Sequence, residues 1–178
     1  MNLEADPFAP PRRHVHRRRN LAGSAGRVGA AALAGSLATD PDGRWYAKLD
    51  KPSWQPPSAA FPIVWTALYA MIAAASTAVL NELERRGEHE EADDYRRALT
   101  RNLALNGGWS WLFFRAHNLG AATIGAGVLA ASSARLARRA GRVERRFGRA
   151  LLPYALWTAF ATLLSAVLWF RNRERSGR

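Results

Sequence analysis

The sequence lacks cysteine, which excludes disulfide bonds, thiol redox chemistry and metal centres with Cys ligands. None of its four histidines lies within a long apolar segment, so an axial histidine ligand for haem iron inside a membrane is not expected. Aspartate and glutamate are also missing from those segments, which argues against a proton relay or a coupled-ion site. The glycine clusters match no phosphate-binding loop. We therefore predict no catalytic residue, no metal site and no tightly bound cofactor.

Five apolar segments, each about 17–22 residues long, have the length that a helix needs to cross a bilayer. They predict an all-α integral membrane protein, a bundle of five transmembrane helices. The first and third segments are the least apolar, because Arg27 lies in the first and Arg101, Asn102 and Asn106 lie in the third. The predicted membrane domain covers residues 21–170, with helices at 21–39, 59–80, 98–114, 119–137 and 150–170 and a loop at 40–58, flanked by a disordered Arg/Pro-rich tail at 1–20 and a basic tail at 171–178.

The net charge of +12 is compatible with either nucleic acid or a membrane as partner, and the positions of the charges decide between them. Most of the 26 basic residues lie in the N-terminal tail and in the second and fourth connections, which five membrane crossings place on one side. By the positive-inside rule the N-terminus is cytoplasmic and the loop at 40–58 lies on the opposite side. No nucleic-acid motif accompanies the charge, so we expect a lipid bilayer as partner, specifically a bacterial cell membrane, and no nucleic acid.

The Arg-rich stretch before the first apolar segment also resembles a signal peptide, with Ser36, Leu37 and Ala38 as a cleavage site. Cleavage after Ala38 would leave the loop at 40–58 as a bare N-terminus without an anchor. A retained first helix is therefore the preferred interpretation.

The loop at 40–58 has an unusual composition, since the stretch from Trp45 to Pro57 contains three aromatic residues and three prolines. Large aromatic side chains are unfavourable in water without a surface to pack on, and proline restricts the backbone. We predict a stiff lid that covers a flat apolar ligand, and we call residues 40–58 the lid loop. Its predicted lid residues are Lys51, Pro52, Trp54, Pro56 and Pro57.

Helical spacing groups aromatic and neutral polar side chains on three of the predicted helices. Positions separated by three, four or seven residues share a face of a helix. If these faces converge, they form an apolar slot in which an amide and a phenol orient a ligand. Alternatively, the aromatic residues only pack or anchor the helices at the membrane interface. The residues of the predicted slot are Trp65, Tyr69, Asn106, Trp109, Phe113, Trp157 and Ala161.

Four motifs occur together over residues 35–170. They are Trp45-Tyr46-x-x-Leu49-x-Lys51-Pro52-x-Trp54-x-Pro56-Pro57, Phe61-Pro62-x-x-Trp65-x-x-Leu68-Tyr69, Asn106-x-x-Trp109-Ser110-x-Leu112-Phe113-Phe114 and Pro153-Tyr154-x-x-Trp157-x-x-Phe160-Ala161. In order and spacing they resemble the TspO family, that of translocator protein and tryptophan-rich sensory protein. Joint agreement of four motifs is far more specific than any single one.

The resemblance implies a five-helix membrane bundle, commonly a homodimer, that binds porphyrins and haem-pathway intermediates under its first loop. Two departures from the family pattern concern polar groups. Ser165 stands where an asparagine is usual, and the predicted helix at 119–137 lacks an acidic residue near its start. The sterol motif of animal members consists of Leu or Val, then Tyr, then Lys or Arg at short spacing. It is missing after Tyr154, because no basic residue follows before Arg171, so we do not predict cholesterol as a ligand. The resemblance assigns ligand binding to Trp45, Tyr46, Trp65, Tyr69, Asn106, Trp109, Trp157 and Ala161.

We therefore expect a membrane receptor, sensor or transporter whose ligand is a tetrapyrrole, porphyrin or haem, held in an aromatic slot between helices. Two alternatives remain open at this point. One is an enzyme that degrades bound porphyrin in light, using oxidisable Trp and Tyr side chains. The other is a structural membrane bundle without a ligand.

Overall fold

The computed structural model describes residues 12–41 and 43–173. In these ranges all regular secondary structure is helical, which confirms the predicted all-α class. A π-helical turn at Trp111–Arg115 continues the fourth helix. The α-helices are α1 at Arg12–Ala38, α2 at Arg44–Ala47, α3 at Ala60–Arg86, α4 at His89–Ser110, α5 at Leu119–Val143 and α6 at Arg145–Asn172.

Five of these helices are long, and α2 is a single turn within the lid loop. Among the described helices, α3, α5 and α6 are long and apolar enough to cross a membrane. Helices α1 and α4 do not reach that hydropathy, and they correspond to the first and third predicted segments, which contain Arg27 and Arg101. Both helices bury polar side chains inside the bundle, Asn20 and Ser24 on α1 and Asn102 and Asn106 on α4.

The long helices extend beyond the predicted apolar segments. Helix α1 begins at Arg12, so the prediction of a disordered tail over 1–20 differs from the structure at residues 12–20, and residues 1–11 and 174–178 lie outside the described ranges. Helix α4 begins at His89 instead of residue 98. The added turns are polar, and hydropathy detects only the apolar part of a helix. Charged residues on both sides of Gly87 are thus helical, at the end of α3 and at the start of α4. Gly87 itself has a positive φ and ends α3.

An ion-pair cluster holds α1 at the two residues that precede its predicted apolar segment. Glu84 of α3 accepts hydrogen bonds from Arg19 at 2.8 Å and from Asn20 at 2.9 Å, both on α1. Arg96 of α4 binds the same carboxylate and also donates to the Asn20 side-chain oxygen at 3.1 Å. The cluster therefore joins the polar ends of α1, α3 and α4.

Helices α5 and α6 form an antiparallel pair joined by Glu144 alone. The two helices cross closely at Gly141 and Gly148, where a Cβ atom added to Gly148 would lie 2.7 Å from the Gly141 Cα atom. Small residues permit such close approach between helices in membranes. This end of the bundle, where α1 also begins, is the basic end, and the opposite end carries the lid loop.

The lid loop is fastened to the C-terminal end of α6. The Asn172 side chain accepts a hydrogen bond from the Asp50 backbone N–H at 2.8 Å and donates to the Asp50 carbonyl at 3.1 Å. Arg171 adds an ion pair to the Asp50 carboxylate at 3.4 Å. These contacts with Asp50 fix the position of the lid loop over the end of α6.

Candidate ligand cavity

A cavity of about 420 Å³ lies between α1, α3, α4 and α6, beneath the lid loop. Its wall is mostly apolar and aromatic, with a few hydroxyl groups and one amide. This volume falls within the range of about 300–1,000 Å³ that is typical of small-molecule sites.

Helical faces predicted from spacing meet at this cavity. Eight of the nine residues predicted to bind ligand line it, and Trp45 is the exception. The Trp45 ring stacks on His117, with centroids 4.3 Å apart, and meets the edge of Phe113 at 5.6 Å. Trp45 thus supports the wall from behind. The eight lining residues are Tyr46, Trp65, Tyr69, Asn106, Trp109, Phe113, Trp157 and Ala161.

Several lining residues were not predicted. On α6 the wall continues from Trp157 and Ala161 through four further residues at helical spacing, so extending the same periodicity would have found them. The part contributed by α1 carries no aromatic signal, because it consists of small residues such as Ala32 and Gly35. The unpredicted residues on α6 are Phe160, Leu164, Ser165 and Leu168.

The polar part of the wall is a chain of hydrogen bonds that runs from the cavity into the core. The Tyr69 hydroxyl donates to the Asn106 side-chain oxygen at 2.8 Å, and the Asn106 amide faces the Tyr154 hydroxyl at 3.5 Å. Tyr154 donates to the Asn102 oxygen at 2.8 Å, and the Asn102 amide donates to Ser133 Oγ at 3.0 Å. These contacts fix the orientation of the Asn106 amide and the Tyr69 phenol.

The indole rings of the wall are held in different ways. Trp109 donates its N–H to the Ala122 carbonyl of α5 at 3.1 Å and stacks on Phe113 with centroids 5.4 Å apart. Among the described residues, the indole N–H groups of Trp65 and Trp157 have no hydrogen-bond acceptor. Trp109 is therefore a fixed wall element, whereas the indoles of Trp65 and Trp157 are not held by a hydrogen bond to a described residue.

The π-helical turn closes the lid side of the α4 wall. Its backbone bond runs from the Ala116 N–H to the Trp111 carbonyl at 2.9 Å, which widens the last turn before α5. His117 then takes a positive φ of 52°, and the Asn118 side chain caps α5 by accepting from the Ala121 N–H at 2.9 Å. This connection places Phe113 and Phe114 on the cavity.

The predicted lid residues do not line the cavity themselves. The loop instead presents Tyr46, with Pro41 and Ser58 beside it. The Tyr46 hydroxyl accepts a hydrogen bond from the Gln55 amide at 3.1 Å, and burial raises the pKa of this phenol, so it stays neutral. The loop therefore acts as a support for Tyr46. The predicted lid residues that do not line the cavity are Lys51, Pro52, Trp54, Pro56 and Pro57.

Two contacts show how the lid residues give that support. The Lys51 ammonium lies over the Tyr46 ring, 4.6 Å from its centroid, which favours one ring position. Trp54 meets the edge of Phe160 on α6 with centroids 5.8 Å apart. The loop is thus packed against α6 as well as tied to it through Asn172.

Long apolar helices and an internal aromatic cavity under a fixed loop define an all-helical integral membrane protein with room for a small molecule. Residues 24–170 match the TspO/MBR family. The chain belongs to that family, as its four motifs predicted.

Individual relatives cover most of the chain. A translocator protein of Homo sapiens is 36% identical over 136 residues, which are 76% of this chain and 79% of that protein. A tryptophan-rich protein TspO of Chlorobaculum tepidum is 32% identical, over 76% of this chain and 85% of that protein. Protein CrtK of Rhodobacter capsulatus is 30% identical, over 80% of this chain and 88% of that protein.

Proposed function

We propose that this protein is a membrane receptor, sensor or transporter that binds a tetrapyrrole in the cavity under the lid loop. The observation that carries the proposal is the convergence of Trp65, Trp109 and Trp157 on one cavity together with the oriented pair of Tyr69 and Asn106. Relatives named translocator protein and tryptophan-rich protein TspO support it.

The wall suits a wide, flat π-system. Aromatic side chains contact such a ring through their faces and edges, and both arrangements are favourable. The half-buried rings of Trp65 and Trp157 offer their surfaces to the cavity from different helices, α3 and α6. The carboxylates at a tetrapyrrole edge would meet basic groups of the lid loop, where Arg44 and Lys48 are exposed.

Quenching of intrinsic tryptophan fluorescence by protoporphyrin tests this proposal without removing an indole. Ala161→Phe adds a ring to the cavity wall and leaves all seven tryptophans in place, so we expect apparent affinity to fall by about tenfold or more. Ala159→Phe is the matched control, because Ala159 is exposed on the other face of α6 and does not line the cavity. Equal quenching in wild type and both variants would contradict the assignment.

A second candidate is light-dependent breakdown of the bound porphyrin. Trp65 lies 5.5 Å from Tyr69 and 6.4 Å from Tyr154 between ring centroids, a contiguous set of oxidisable rings beside the cavity. Ring opening consumes dioxygen, so the test is illumination of the complex with and without oxygen. A new bilin-like absorbance that needs oxygen and is lost in Trp65→Phe supports the enzyme. Bleaching at the rate of free porphyrin supports binding alone.

The arrangement of charges supports a cytoplasmic N-terminus, with the lid loop on the opposite side of a bacterial membrane. A homodimer is the expected assembly in that membrane. A cysteine introduced at Ser53, which is exposed on the lid loop, should react with a membrane-impermeant reagent in intact cells. Labelling only after lysis would reverse the topology.

A further inference from the structure

A second concave site lies at the basic end of the bundle, away from the ligand cavity. It is a groove of about 340 Å³ between α5 and α6. Each helix contributes residues at spacings of three, four or seven, so one continuous face of each helix forms a side of the groove. We call it the basic groove, and its lining is Ala134, Ala137, Arg138, Gly141, Arg145, Gly148, Arg149, Leu152 and Ala155.

The close crossing of α5 and α6 makes the groove. A Cβ atom on Gly148 would lie 2.9 Å from the Ala137 carbonyl oxygen as well as 2.7 Å from the Gly141 Cα atom. Because the backbones meet there, the larger side chains on either side stand above the line of contact. The small residues therefore form a floor, and the long side chains form the rim.

Three arginines supply the rim at the polar end. Arg138, Arg145 and Arg149 are all exposed, and none of them forms an ion pair with a described residue. Glu144, which joins the two helices, is occupied by Arg146 at 2.6 Å. Arg145 and Arg149 are four residues apart on one helix, where like charges destabilise each other. An anion between these guanidinium groups would remove that repulsion and accept charge-assisted hydrogen bonds.

The other end of the groove is apolar. Leu152, which is 49% exposed, follows Arg149 on the same face of α6, and Ala155 and Ala134 continue in the same direction. From Arg145 to Ala155 the helix rises about 15 Å, half of a hydrocarbon core of about 30 Å. The groove thus passes from basic to apolar over the distance that separates a lipid headgroup from the midplane of the bilayer.

We propose that the basic groove binds one anionic phospholipid, with the phosphate on Arg138, Arg145 and Arg149 and an acyl chain along Leu152, Ala134 and Ala155. Basic pockets between helices near the membrane surface recognise lipid headgroups in this way. A free phosphate ion would satisfy the arginines and leave the apolar half uncovered. A second copy that packed the same face against this one would bring its own arginines, because the groove lining contains no acidic residue.

The test is retention of added lipid by the full-length protein in detergent, measured by native mass spectrometry with phosphatidylglycerol or phosphatidylcholine of the same chain length. The variant Arg138→Gln/Arg145→Gln/Arg149→Gln removes the rim. The matched control Arg135→Gln/Arg139→Gln/Arg142→Gln removes the same charge from exposed arginines outside the groove. We expect one phosphatidylglycerol per chain on wild type and control, and about tenfold weaker retention on the groove variant.

Four results would overturn the proposal. Equal loss in both variants would indicate diffuse attraction to charge, and equal retention of both lipids would remove the role of the arginines. Displacement of phosphatidylglycerol by millimolar inorganic phosphate would indicate a free-anion site. A groove variant that changes the oligomeric state at constant lipid would indicate contact between copies.

The apolar half has a separate test that leaves every arginine in place. Leu152→Asn should weaken retention of long-chain phosphatidylglycerol several-fold. Leu156→Asn is its control, because Leu156 is 69% exposed and lies outside the groove. Equal retention by these two variants would show that no acyl chain lies along Leu152. Both readouts are independent of porphyrin binding.

Discussion

Replacement of Gly148 by alanine is expected to destabilise the bundle, although alanine is the better helix former. The new Cβ atom would lie 2.7 Å from the Gly141 Cα atom, 2.9 Å from the Ala137 carbonyl oxygen and 3.0 Å from the Gly141 nitrogen. Carbon atoms in contact prefer about 3.5–4.0 Å, so α5 and α6 must separate by roughly 1 Å. All three neighbours are backbone atoms, and no side-chain rotation can relieve the clash.

The magnitude follows from two opposing effects. Overpacking of a close contact costs about 1–3 kcal/mol, and removal of a helical glycine returns about 0.5–1 kcal/mol. Taking the middle of each range, the net loss is about 1–2 kcal/mol. For a domain of this size each kcal/mol lowers the midpoint of thermal unfolding by about 2–4 °C. Gly148→Ala should lower Tm by about 2–8 °C in detergent without anionic lipid.

The facing glycine supplies the control. A Cβ atom on Gly141 would lie 3.6 Å from the Gly148 Cα atom, which is ordinary contact, so Gly141→Ala should leave Tm unchanged or raise it slightly. Circular dichroism at 222 nm during heating measures both variants. A Gly148→Ala protein as stable as wild type, or the same change in Tm for both variants, would refute the packing argument.

Three further predictions concern polar contacts. Tyr69→Phe leaves the buried Asn106 oxygen without its donor, so we expect a loss of about 1–3 kcal/mol in stability, measured by thermal unfolding, and weaker porphyrin quenching; unchanged stability would mean that another donor replaces the hydroxyl. Glu84→Gln weakens the charged contacts that join α1, α3 and α4, and proteolysis near the start of α1 should become faster than in wild type. Asn172→Ala frees the Asp50 backbone from α6, so stopped-flow measurement should show faster porphyrin release; an unchanged rate would show that this contact does not restrain the lid.

Helical spacing predicted most of the cavity because each predicted face was short and lay within one continuous helical segment. Trp157 and Ala161 share a face whatever the neighbouring helices do, and so do Trp65 and Tyr69. How the faces meet depends on tertiary packing. The hydrogen bond from Tyr69 to Asn106 joins residues 37 apart in sequence, and no local pattern encodes it.

Two differences between prediction and structure have physical explanations: the position of Trp45 and the start of α1. Trp45 carries the lid motif, but a stacked partner at His117 holds it behind the wall, and that partner lies in a connection with a positive φ and no apolar signal. The polar part of α1 contacts another helix, where Glu84 pairs with Arg19. A one-dimensional hydropathy pattern contains neither contact.

The chain of hydrogen bonds behind the cavity has a direction. Every link donates away from the ligand: Tyr69 to Asn106, Asn106 to Tyr154, Tyr154 to Asn102, and Asn102 to Ser133, which in turn donates to a backbone carbonyl of α5. The cavity end therefore presents an acceptor, the Tyr69 oxygen, whose proton is already committed. An occupant that meets this oxygen with an N–H or O–H group lengthens the chain, whereas one that brings a bare acceptor must compete with Asn106 for the proton. For a ligand bound under the proposed function, the polarity of this single hydrogen bond would be a criterion of selection independent of size and flatness.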